Sequence, residues 1–598
     1  MSGIGGLAGY TGNALQLATI CEKMQTSLKK RGPDEHGTYI SEEVCLLNTS
    51  TNFPYTGRGP MRAMLGQKVY ILVFDGELYN KDELINELKT LGYSIPDNSD
   101  AGVVLYGYMA WGKSCLDRFL GMYAFAIWDS QQLFMARDRL GLKPLYYSLN
   151  TNGFAFASDV RTLLCHPGVK PIIDSQGIAE LILLGPGRTP GTTPFRDIWE
   201  LKPGHFATYS MIKGFTTDQY WKLRAKTHRD TFKETTEKVA KILNDSISRQ
   251  TGGSLKIGTF LSGGLDSSAI AAISKSRNTF SVDYIGNDTH FSPTEFQPDD
   301  DNAFIKEMVT ALGASHSRVV LGSDELADAL TPAMYARGFP GMGDVDSALL
   351  LFCQKVKEFV PIALTGEGAD EIFGGYPWYQ QEERLNADTF PWSQKTDYRS
   401  RFIAPHILKN LNPDEYIRTR FEKTISASPT LYDDNPKEKR IRQMYNLNIF
   451  WFLQNLAIRN ESMSAAAGLT VRSPFLDHRL VEYMYNVPWE YKNHKDREKG
   501  LLRESLKNHL PDSVLWRKKS PFPKTHNPAY MNRVTDMIKV VDNDAPIYTI
   551  ISKEAITQLL DEDTNNPWYG QLMTKPQTIA YFLQINAWMA EFNVIVRT

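Results

Sequence analysis

The clearest chemical signal in the sequence is a glycine-rich segment at residues 260–268, FLSGGLDSS. An apolar, strand-like run at 256–261 leads into it, and a helix-like run at 267–274 follows it. Two glycines let the backbone come close to a phosphate group, and a helix that begins there directs N–H groups and its positive dipole end at an anion. The segment therefore predicts a phosphate-binding loop. It offers three hydroxyl donors, Ser262, Ser267 and Ser268.

Carboxylates at two places suggest a cation beside this loop. Asp266 would repel a phosphate, so we expect it to hold a Mg²⁺ ion that bridges phosphate oxygens. A second acidic cluster, TGEGADE at residues 365–371, follows an apolar run at 360–364. Carboxylates beyond the carboxyl end of a parallel strand lie where such sheets bind ligands. Asp370 together with Asp266 predicts a two-carboxylate magnesium site.

The elements that must position these loops alternate between strand and helix. Strands are predicted at 256–261, 280–284 and 360–364 with helices between them, which is typical of a doubly wound parallel α/β sheet. The chain from about residue 397 reads as mainly helical, and 235–249 as a helix.

The first third of the chain reads as a separate, sheet-rich unit. Strands are predicted at 69–74, 123–128, 132–136 and 144–147, a helix at 81–91 and a loop at 185–194 (GPGRTPGTTP). The first of these strands is expected to end at a turn signal, Asp75-Gly76. We place a domain boundary near residue 215, giving domains 1–215 and 216–598.

Bulk composition excludes several classes of protein. A chain of 598 residues is too long for one hydrophobic core, and its net charge of −2 argues against a nucleic-acid protein that depends on a basic surface. No run is long enough to cross a bilayer, and the N-terminus lacks a signal-peptide pattern. The five cysteines show no metal-binding spacing. We therefore expect a cytoplasmic protein with no nucleic-acid or membrane partner.

The loop lacks the GxxxxGK[ST] pattern of P-loop proteins and resembles the SGGxDS loop of ATP pyrophosphatases. Paired with GEGADEIFGGY at 366–376, it resembles the synthetase domain of asparagine synthetases. Other motifs that resemble this family occur along the whole chain: RGPD at 31–34, GELYN at 76–80, ARDRLG at 136–141, FAS at 156–158, RSPFLD at 472–477, REK at 497–499 and WRKK at 516–519.

The resemblance implies an N-terminal-nucleophile (Ntn) glutaminase, an αββα sandwich, that feeds ammonia through a tunnel to an ATP-dependent adenylating domain. It implies that pyrophosphate contacts the loop, that Mg²⁺ lies on Asp266 and Asp370, that Glu367 is the acid beside the reaction centre and that Lys519 neutralises transition-state charge. The residues implied to bind ATP are Leu261, Ser262, Gly263, Gly264, Asp266, Ser267, Ser268, Val282 and Gly366. Homodimers are common in the family, although no residue pattern here indicates one.

The glutaminase motifs depart from the family pattern. Ser2 stands where active members have a cysteine, and a hydroxyl is a far poorer nucleophile than a thiol. The segment 46–52, which includes Thr49, lacks the arginine that grips glutamine. Asp75 replaces an oxyanion-hole asparagine, and an ionised carboxylate cannot donate a hydrogen bond. Gly76, Glu77 and Asp100 keep the family residue. We expect a structural, glutaminase-inactive domain.

Three functional hypotheses follow. The leading one is an AMP-forming amide synthetase that works without glutamine, resembling in this respect β-lactam synthetases and lasso-peptide cyclases. It would join a small-molecule or peptide carboxylate to an amine or ammonia in specialised biosynthesis. The competing hypothesis is an asparagine synthetase that uses aspartate, ATP and ammonia or glutamine. The third is a catalytically degenerate nucleotide-binding scaffold.

Overall fold

The structure is a computed structural model that describes residues 2–51, 59–150, 152–253, 255–291, 300–564, 566–570 and 572–598. The chain forms two compact units. The first contains residues 1–177, 189–222 and 592–597, and the second contains residues 178–188, 223–591 and 598. The boundary predicted near residue 215 falls within the range 189–222 of the first unit. It cuts the strand Gly214–Gln219, whose backbone pairs with His205–Ser210 along its whole length.

The first unit contains two six-stranded antiparallel sheets. The strands of one sheet are, in spatial order, Trp199–Glu200, Tyr146–Asn150, Gly153–Ala157, Ser2–Ala8, Val44–Ser50 and Glu35–Ile40. Those of the other are Gly214–Gln219, His205–Ser210, Leu133–Arg137, Gly121–Trp128, Lys68–Leu78 and Met61–Leu65. Two short strands, Ile172–Ile173 and Ile595–Val596, pair in parallel.

A shared hydrophobic core joins the two sheets of this unit face to face. Ile4 and Leu46 from one sheet pack in the same cluster as Val73 and Ala126 from the other. A second cluster covers the outer face of the latter sheet with the helices Lys81–Thr90 and Asp100–Trp111. The helix Ala14–Leu28 lies on the other outer face, where Gln25 donates to the Asn48 carbonyl at 3.0 Å. The predicted Ntn-type αββα sandwich is thus confirmed.

The strand predicted to end at Asp75-Gly76 is the observed strand Lys68–Leu78, so the predicted end is wrong. The strand continues past both residues, with Asp75 opposite Ala124 and Gly76 opposite Tyr123. A Cβ on Gly76 would lie 2.3 Å from the Met122 carbonyl oxygen, so this glycine permits two strands to approach closely. The last predicted strand of this region begins at Tyr146 rather than at residue 144.

The second unit is built on a five-stranded parallel sheet. Its strands are, in order, Ser315–Leu321, Asn278–Tyr284, Ile257–Phe260, Ile362–Leu364 and Thr470–Arg472. The chain starts at the central strand, adds two strands on one side and then crosses to the other. The order therefore reverses between Ile257–Phe260 and Ile362–Leu364, and ligands bind at such switch points, beyond the carboxyl ends of the strands.

Helices surround this sheet and form the rest of the unit, confirming the predicted doubly wound sheet with a helical C-terminal part. Those up to residue 373 are Phe232–Thr251, Leu265–Ser274, Asn287–His290, Asp301–Leu312, Ser323–Asp328, Leu330–Arg337, Asp344–Lys357 and Ala369–Phe373. The longest of the later ones are Pro413–Ser426, Pro436–Leu447, Leu453–Ala466, His478–Asn486, Pro528–Lys539, Lys553–Asp561 and Lys575–Glu591. Among the described residues, no helix is long and apolar enough to span a membrane.

Candidate active site

The predicted phosphate loop lies at the switch point of the parallel sheet. It follows the strand Ile257–Phe260, and the helix Leu265–Ser274 begins with Gly264 as its N-cap. The backbone N–H of Ser262 donates to the Ser267 hydroxyl at 3.1 Å, which closes the loop on itself. Gly263 has φ +67°, and a Cβ there would lie 2.8 Å from the Ile305 nitrogen. The turn therefore requires glycine at this position.

A cavity opens above this loop and brings together most of the residues predicted to bind ATP or act in catalysis. Its lining includes Leu261, Ser262, Gly264, Asp266, Ser267, Val282, Gly366, Glu367, Asp370 and Lys519. Gly263 and Ser268 are not among the described residues that line it. Ser268 is fully buried, and its hydroxyl has no hydrogen-bond partner in the described part of the chain. Its placement does not support direct contact with pyrophosphate.

Asp266 and Asp370 face each other across a lysine. The Lys499 amino group lies 2.7 Å from a carboxylate oxygen of Asp266 and 2.8 Å from one of Asp370. Burial alone would raise the pKa of Asp370, but the Lys499 and Lys519 cations hold it well below its usual range. Asp370 is therefore ionised across the physiological pH range. Lys499 belongs to the REK motif, but the sequence reasoning assigned it no role.

Lys519 reaches the same carboxylate from the other side. Its amino group lies 2.7 Å from Asp370 and 5.3 Å from the centre of the Tyr376 ring. The backbone N–H of Lys519 donates to Glu498, whose carboxylate also pairs with Arg503 at 2.7 Å. The hydrogen bond from the Lys519 backbone to Glu498 fixes the loop that carries Lys519. The arrangement presents a cation to the cavity at a defined place, which suits stabilisation of charge that develops during a reaction.

Glu367 is held by an arginine that the sequence reasoning did not identify. The Arg459 guanidinium, on the helix Leu453–Ala466, donates to the Glu367 carboxylate at 3.1 Å. Burial raises the pKa of Glu367, and Arg459 opposes only part of that rise. A carboxylate with a raised pKa is a stronger base, as proton removal from an amine requires. Beside it, burial and the Asp370 charge raise the pKa of Glu371 to about 8.

The two facing carboxylates fit a magnesium ion. Both are oxygen donors in reach of one cation, and both side chains are partly exposed to the cavity. Among the described residues, no cluster of three or more His, Cys, Asp or Glu is placed to hold a metal ion. Asp266 and Asp370 would therefore supply two ligands, and phosphate oxygens would have to supply others. An ion there would draw the phosphates toward the helix N-terminus.

The approach of the two loops depends on Gly366. A Cβ there would lie 2.8 Å from the Ser267 nitrogen and 2.9 Å from the Asp266 Cβ. We expect Gly366→Ala to push the loops apart and weaken binding of Mg·ATP by roughly tenfold or more, as overpacking costs about 1–3 kcal/mol. Isothermal titration calorimetry measures this directly. Gly252→Ala is the control, because its Cβ would meet nothing nearer than 3.7 Å, and an equal loss in both variants would contradict the explanation.

The residues of the predicted degenerate glutaminase site lie in the first unit, where salt bridges and hydrogen bonds to the backbone engage several of them. Asp75 lies 3.4 Å from Arg31 and 3.4 Å from Lys143, and all three side chains are buried. The Arg31 Nε donates to the Ser2 carbonyl at 3.3 Å. Asp100, the other aspartate of the predicted site, lies 3.7 Å from Lys81. Asp75 and Asp100 thus each face a cation of the chain.

Thr49 occupies the segment from which the family arginine is missing. Its hydroxyl donates to the Leu28 carbonyl at 3.0 Å, and the residue is fully buried. Asn52, at the end of that segment, lies outside the described residues. Gly76 and Glu77 follow Asp75 on the same strand.

A phosphate loop at the switch point of a parallel sheet, faced by two carboxylates and two lysines, defines an enzyme that activates substrates with a nucleotide. The family models for asparagine synthase and for the glutamine amidotransferase domain match residues 238–590 and 1–221. Because the first covers more than half of the chain, this protein belongs to the asparagine synthase family. It is an ATP-dependent carbon–nitrogen ligase of the asparagine synthetase type.

Relatives match along nearly the whole chain. Asparagine synthetase [glutamine-hydrolyzing] 3 of Bacillus subtilis is 39% identical over 612 residues, which cover 99% of each chain. Asparagine synthetase [glutamine-hydrolyzing] 1 of the same organism is 26% identical, over 91% of this chain and 90% of the other. The solved glutamine phosphoribosylpyrophosphate amidotransferase of B. subtilis covers 53% of this chain and 65% of its own at 13% identity, with a TM-score of only 0.28.

Proposed function

We propose that this enzyme adenylates a carboxylate with Mg·ATP and transfers the acyl group to an amine or ammonia without hydrolysing glutamine, in specialised biosynthesis. A substrate carboxylate oxygen attacks the α-phosphorus, the bond to the β-phosphate breaks and pyrophosphate leaves. The nitrogen nucleophile then attacks the acyl carbon, AMP leaves with the electrons of the acyl–oxygen bond, and Glu367 accepts the proton. Asp266 and Asp370 hold the Mg²⁺ ion, and Lys519 neutralises charge in both steps.

The observation that supports glutamine independence is the salt-bridge cluster around Asp75. The Arg31 guanidinium and the Lys143 amino group each lie 3.4 Å from an oxygen of this buried carboxylate. An aspartate at this position lacks the amide N–H donors that an asparagine would offer to an oxyanion. Ser2 also supplies a hydroxyl in place of a thiol. The nucleophile and the oxyanion donor of the glutaminase site therefore both differ from the family pattern. The adenylating site, in contrast, keeps the charged groups described for it above.

The test is a substrate panel in which AMP and pyrophosphate are measured with glutamine, ammonium or a primary amine as nitrogen source. We expect carboxylate-dependent pyrophosphate release without glutamine, and glutamate formation from glutamine at background. The Asp266→Asn variant serves as the control for contaminating activity. Glutamine hydrolysis that depends on Ser2 and exceeds background would contradict the proposal.

A second candidate is an asparagine synthetase that uses aspartate and ammonia or glutamine. The Glu367–Arg459 pair favours it, because one anion and one cation beside the reaction centre could contact the ammonium and carboxylate groups of an amino acid. The named activity of the B. subtilis relatives agrees with it. Asparagine formation from aspartate, ATP and saturating ammonium would support this candidate, and its absence would exclude it.

A further inference from the structure

The Lys499 amino group lies between the two carboxylates that would hold a metal ion. Its nitrogen is 2.9 and 2.7 Å from the two oxygens of Asp266 and 2.8 Å from Oδ1 of Asp370. Oδ2 of Asp370 accepts a hydrogen bond from Lys519 at 2.7 Å. A lysine ammonium has three N–H donors, which matches the three oxygens that Lys499 contacts. Every carboxylate oxygen of the two proposed magnesium ligands is therefore already bonded to a lysine.

This arrangement has no room for Lys499 and a shared metal ion together. An ion that both carboxylates coordinate must lie between them, about 2.0–2.1 Å from their oxygens in the case of Mg²⁺. The ammonium nitrogen occupies that space, and two cations so close together repel strongly in a buried site. Lys499 must therefore move before Asp266 and Asp370 can share a metal ion.

The fold holds Lys499 firmly in this position. The residue is 2% exposed, and its backbone has φ +56°, in the left-handed region that residues other than glycine rarely adopt. Gly375 leaves space for the side chain, because a Cβ there would lie 3.1 Å from the Lys499 Cδ and would meet the Asp370 carboxylate. Strained backbone of this kind persists where the surrounding structure imposes it, and it is concentrated at functional sites.

The charges of this cluster are balanced without a metal ion. Two carboxylates face two ammonium groups, so a free divalent cation would add two positive charges to a neutral cluster. It would also leave the buried Lys499 cation without an anion, which is costly. The phosphates of ATP remove both obstacles, because they bring negative charge into the cavity that Lys499 and the phosphate loop line together. Metal and nucleotide should therefore favour each other's binding, and such coupling is reciprocal.

We propose that Lys499 is an internal substitute for the metal ion. It closes Asp266 and Asp370 to free divalent cations, and it releases them only when the phosphates of a nucleotide accept its charge. The enzyme thus takes up its metal together with the nucleotide rather than before it. This inference rests on the magnesium site of the proposed function and adds an order of binding to it.

Titration of the full chain with Mn²⁺ alone, followed by the electron paramagnetic resonance signal of the free ion, tests the block in the absence of nucleotide. Mn²⁺ is suitable because it binds carboxylate oxygens as Mg²⁺ does. The parent enzyme should leave the signal of the free ion nearly unchanged. We expect Lys499→Met to bind Mn²⁺ at least about tenfold more tightly than the parent, because the competing ammonium group is gone.

Two further variants locate this gain. Combining Lys499→Met with Asp266→Asn should abolish the gain, because the ion loses a charged ligand. Lys519→Met removes an equal charge from Asp370 but leaves Lys499 between the carboxylates. Its gain in Mn²⁺ affinity should be at least about threefold smaller than that of Lys499→Met, although both variants raise the negative potential of the site. Equal gains would show that net charge, rather than the position of Lys499, limits metal binding.

Binding of a nucleotide should change in the opposite direction. The probe is an ATP analogue with a methylene group between the α- and β-phosphates, which cannot be cleaved there, and calorimetry measures its binding in saturating Mg²⁺. We expect Lys499→Met to weaken this binding by at least about tenfold, because the phosphates lose a charge-assisted hydrogen bond. A variant that only distorts the site would bind both the metal and the nucleotide more weakly.

Two results would overturn the inference. One is tight binding of Mn²⁺ by the parent without nucleotide that Asp266→Asn removes, and this result needs no variant of Lys499. The other is an affinity of Lys499→Met for Mn²⁺ alone that equals or falls below that of the parent. Failure of the proposed function is distinguishable, because no titration here involves acyl transfer. In that case metal and nucleotide bind as expected, but no carboxylate of the panel releases pyrophosphate or AMP from ATP.

Discussion

Replacing Lys519 by methionine is expected to lower the rate of AMP formation by about 10²–10³-fold while Mg·ATP still binds. The reason is the fixed position of its amino group, 2.7 Å from Asp370 and tied to Glu498 through its backbone. A preorganised cation stabilises the charge of a transition state far more than that of the bound substrate. The loss should therefore appear in kcat, measured with saturating Mg·ATP and the best carboxylate of the panel.

Lys518→Met is the matched control for this prediction. It removes the same charge one residue away, from an exposed side chain that also lines the cavity. We expect its kcat to stay within about fivefold of the parent, because an exposed and solvated charge contributes little. Equal losses in the two variants would show that general electrostatic potential, rather than the placement of Lys519, sets the rate.

Three of the five strands of the parallel sheet follow from the sequence because each contains a short apolar run. The predicted runs at 256–261, 280–284 and 360–364 each overlap an observed strand, as buried parallel strands require apolar side chains on both faces. The strand Gly214–Gln219 escaped detection for the opposite reason. Its side chains are largely exposed and polar, so it shows no alternation of apolar residues that would separate it from a linker.

Asp75-Gly76 shows how a local signal can mislead when tertiary contacts decide. The dipeptide has turn chemistry, yet it lies within a strand because only glycine fits against the neighbouring backbone. Ser268 shows a related limit. Adjacent positions on a helix differ in direction by about 100°, so Ser267 faces the cavity while Ser268 turns into the interior.

The parts of the site that the sequence did not identify come from distant segments. Lys499 lies 233 residues from Asp266 along the chain, and Arg459 lies 92 residues from Glu367. Neither contact carries a local pattern, since each depends on how helices of the C-terminal part pack over the sheet. The sequence motifs identified the carboxylates because these residues lie in two glycine-rich segments. Of the cations that balance those carboxylates, Lys499 and Arg459 became visible only in the fold, whereas Lys519 was already implied by the resemblance to the family.

Replacing Asp75 by asparagine is expected to destabilise the first unit by about 3–5 kcal/mol, the usual cost of removing one partner from a buried ion pair. The side chains of Arg31 and Lys143 are only 4% and 2% exposed, so the change leaves two buried cations with one anion fewer. Differential scanning calorimetry at neutral pH should show Tm lowered by about 10 °C in the transition of this unit.

Glu87→Gln is the control for this change, because it also converts an acid to an amide in the same unit. Glu87 and Arg118 are 48% and 45% exposed, and such a surface pair contributes at most about 1 kcal/mol. A Tm of Asp75→Asn within about 2 °C of the parent would show that the two cations have other adequate compensation. The expected loss, in contrast, would show that Asp75 now stabilises this fold, and that restoring the asparagine of the family no longer suits the residues around it.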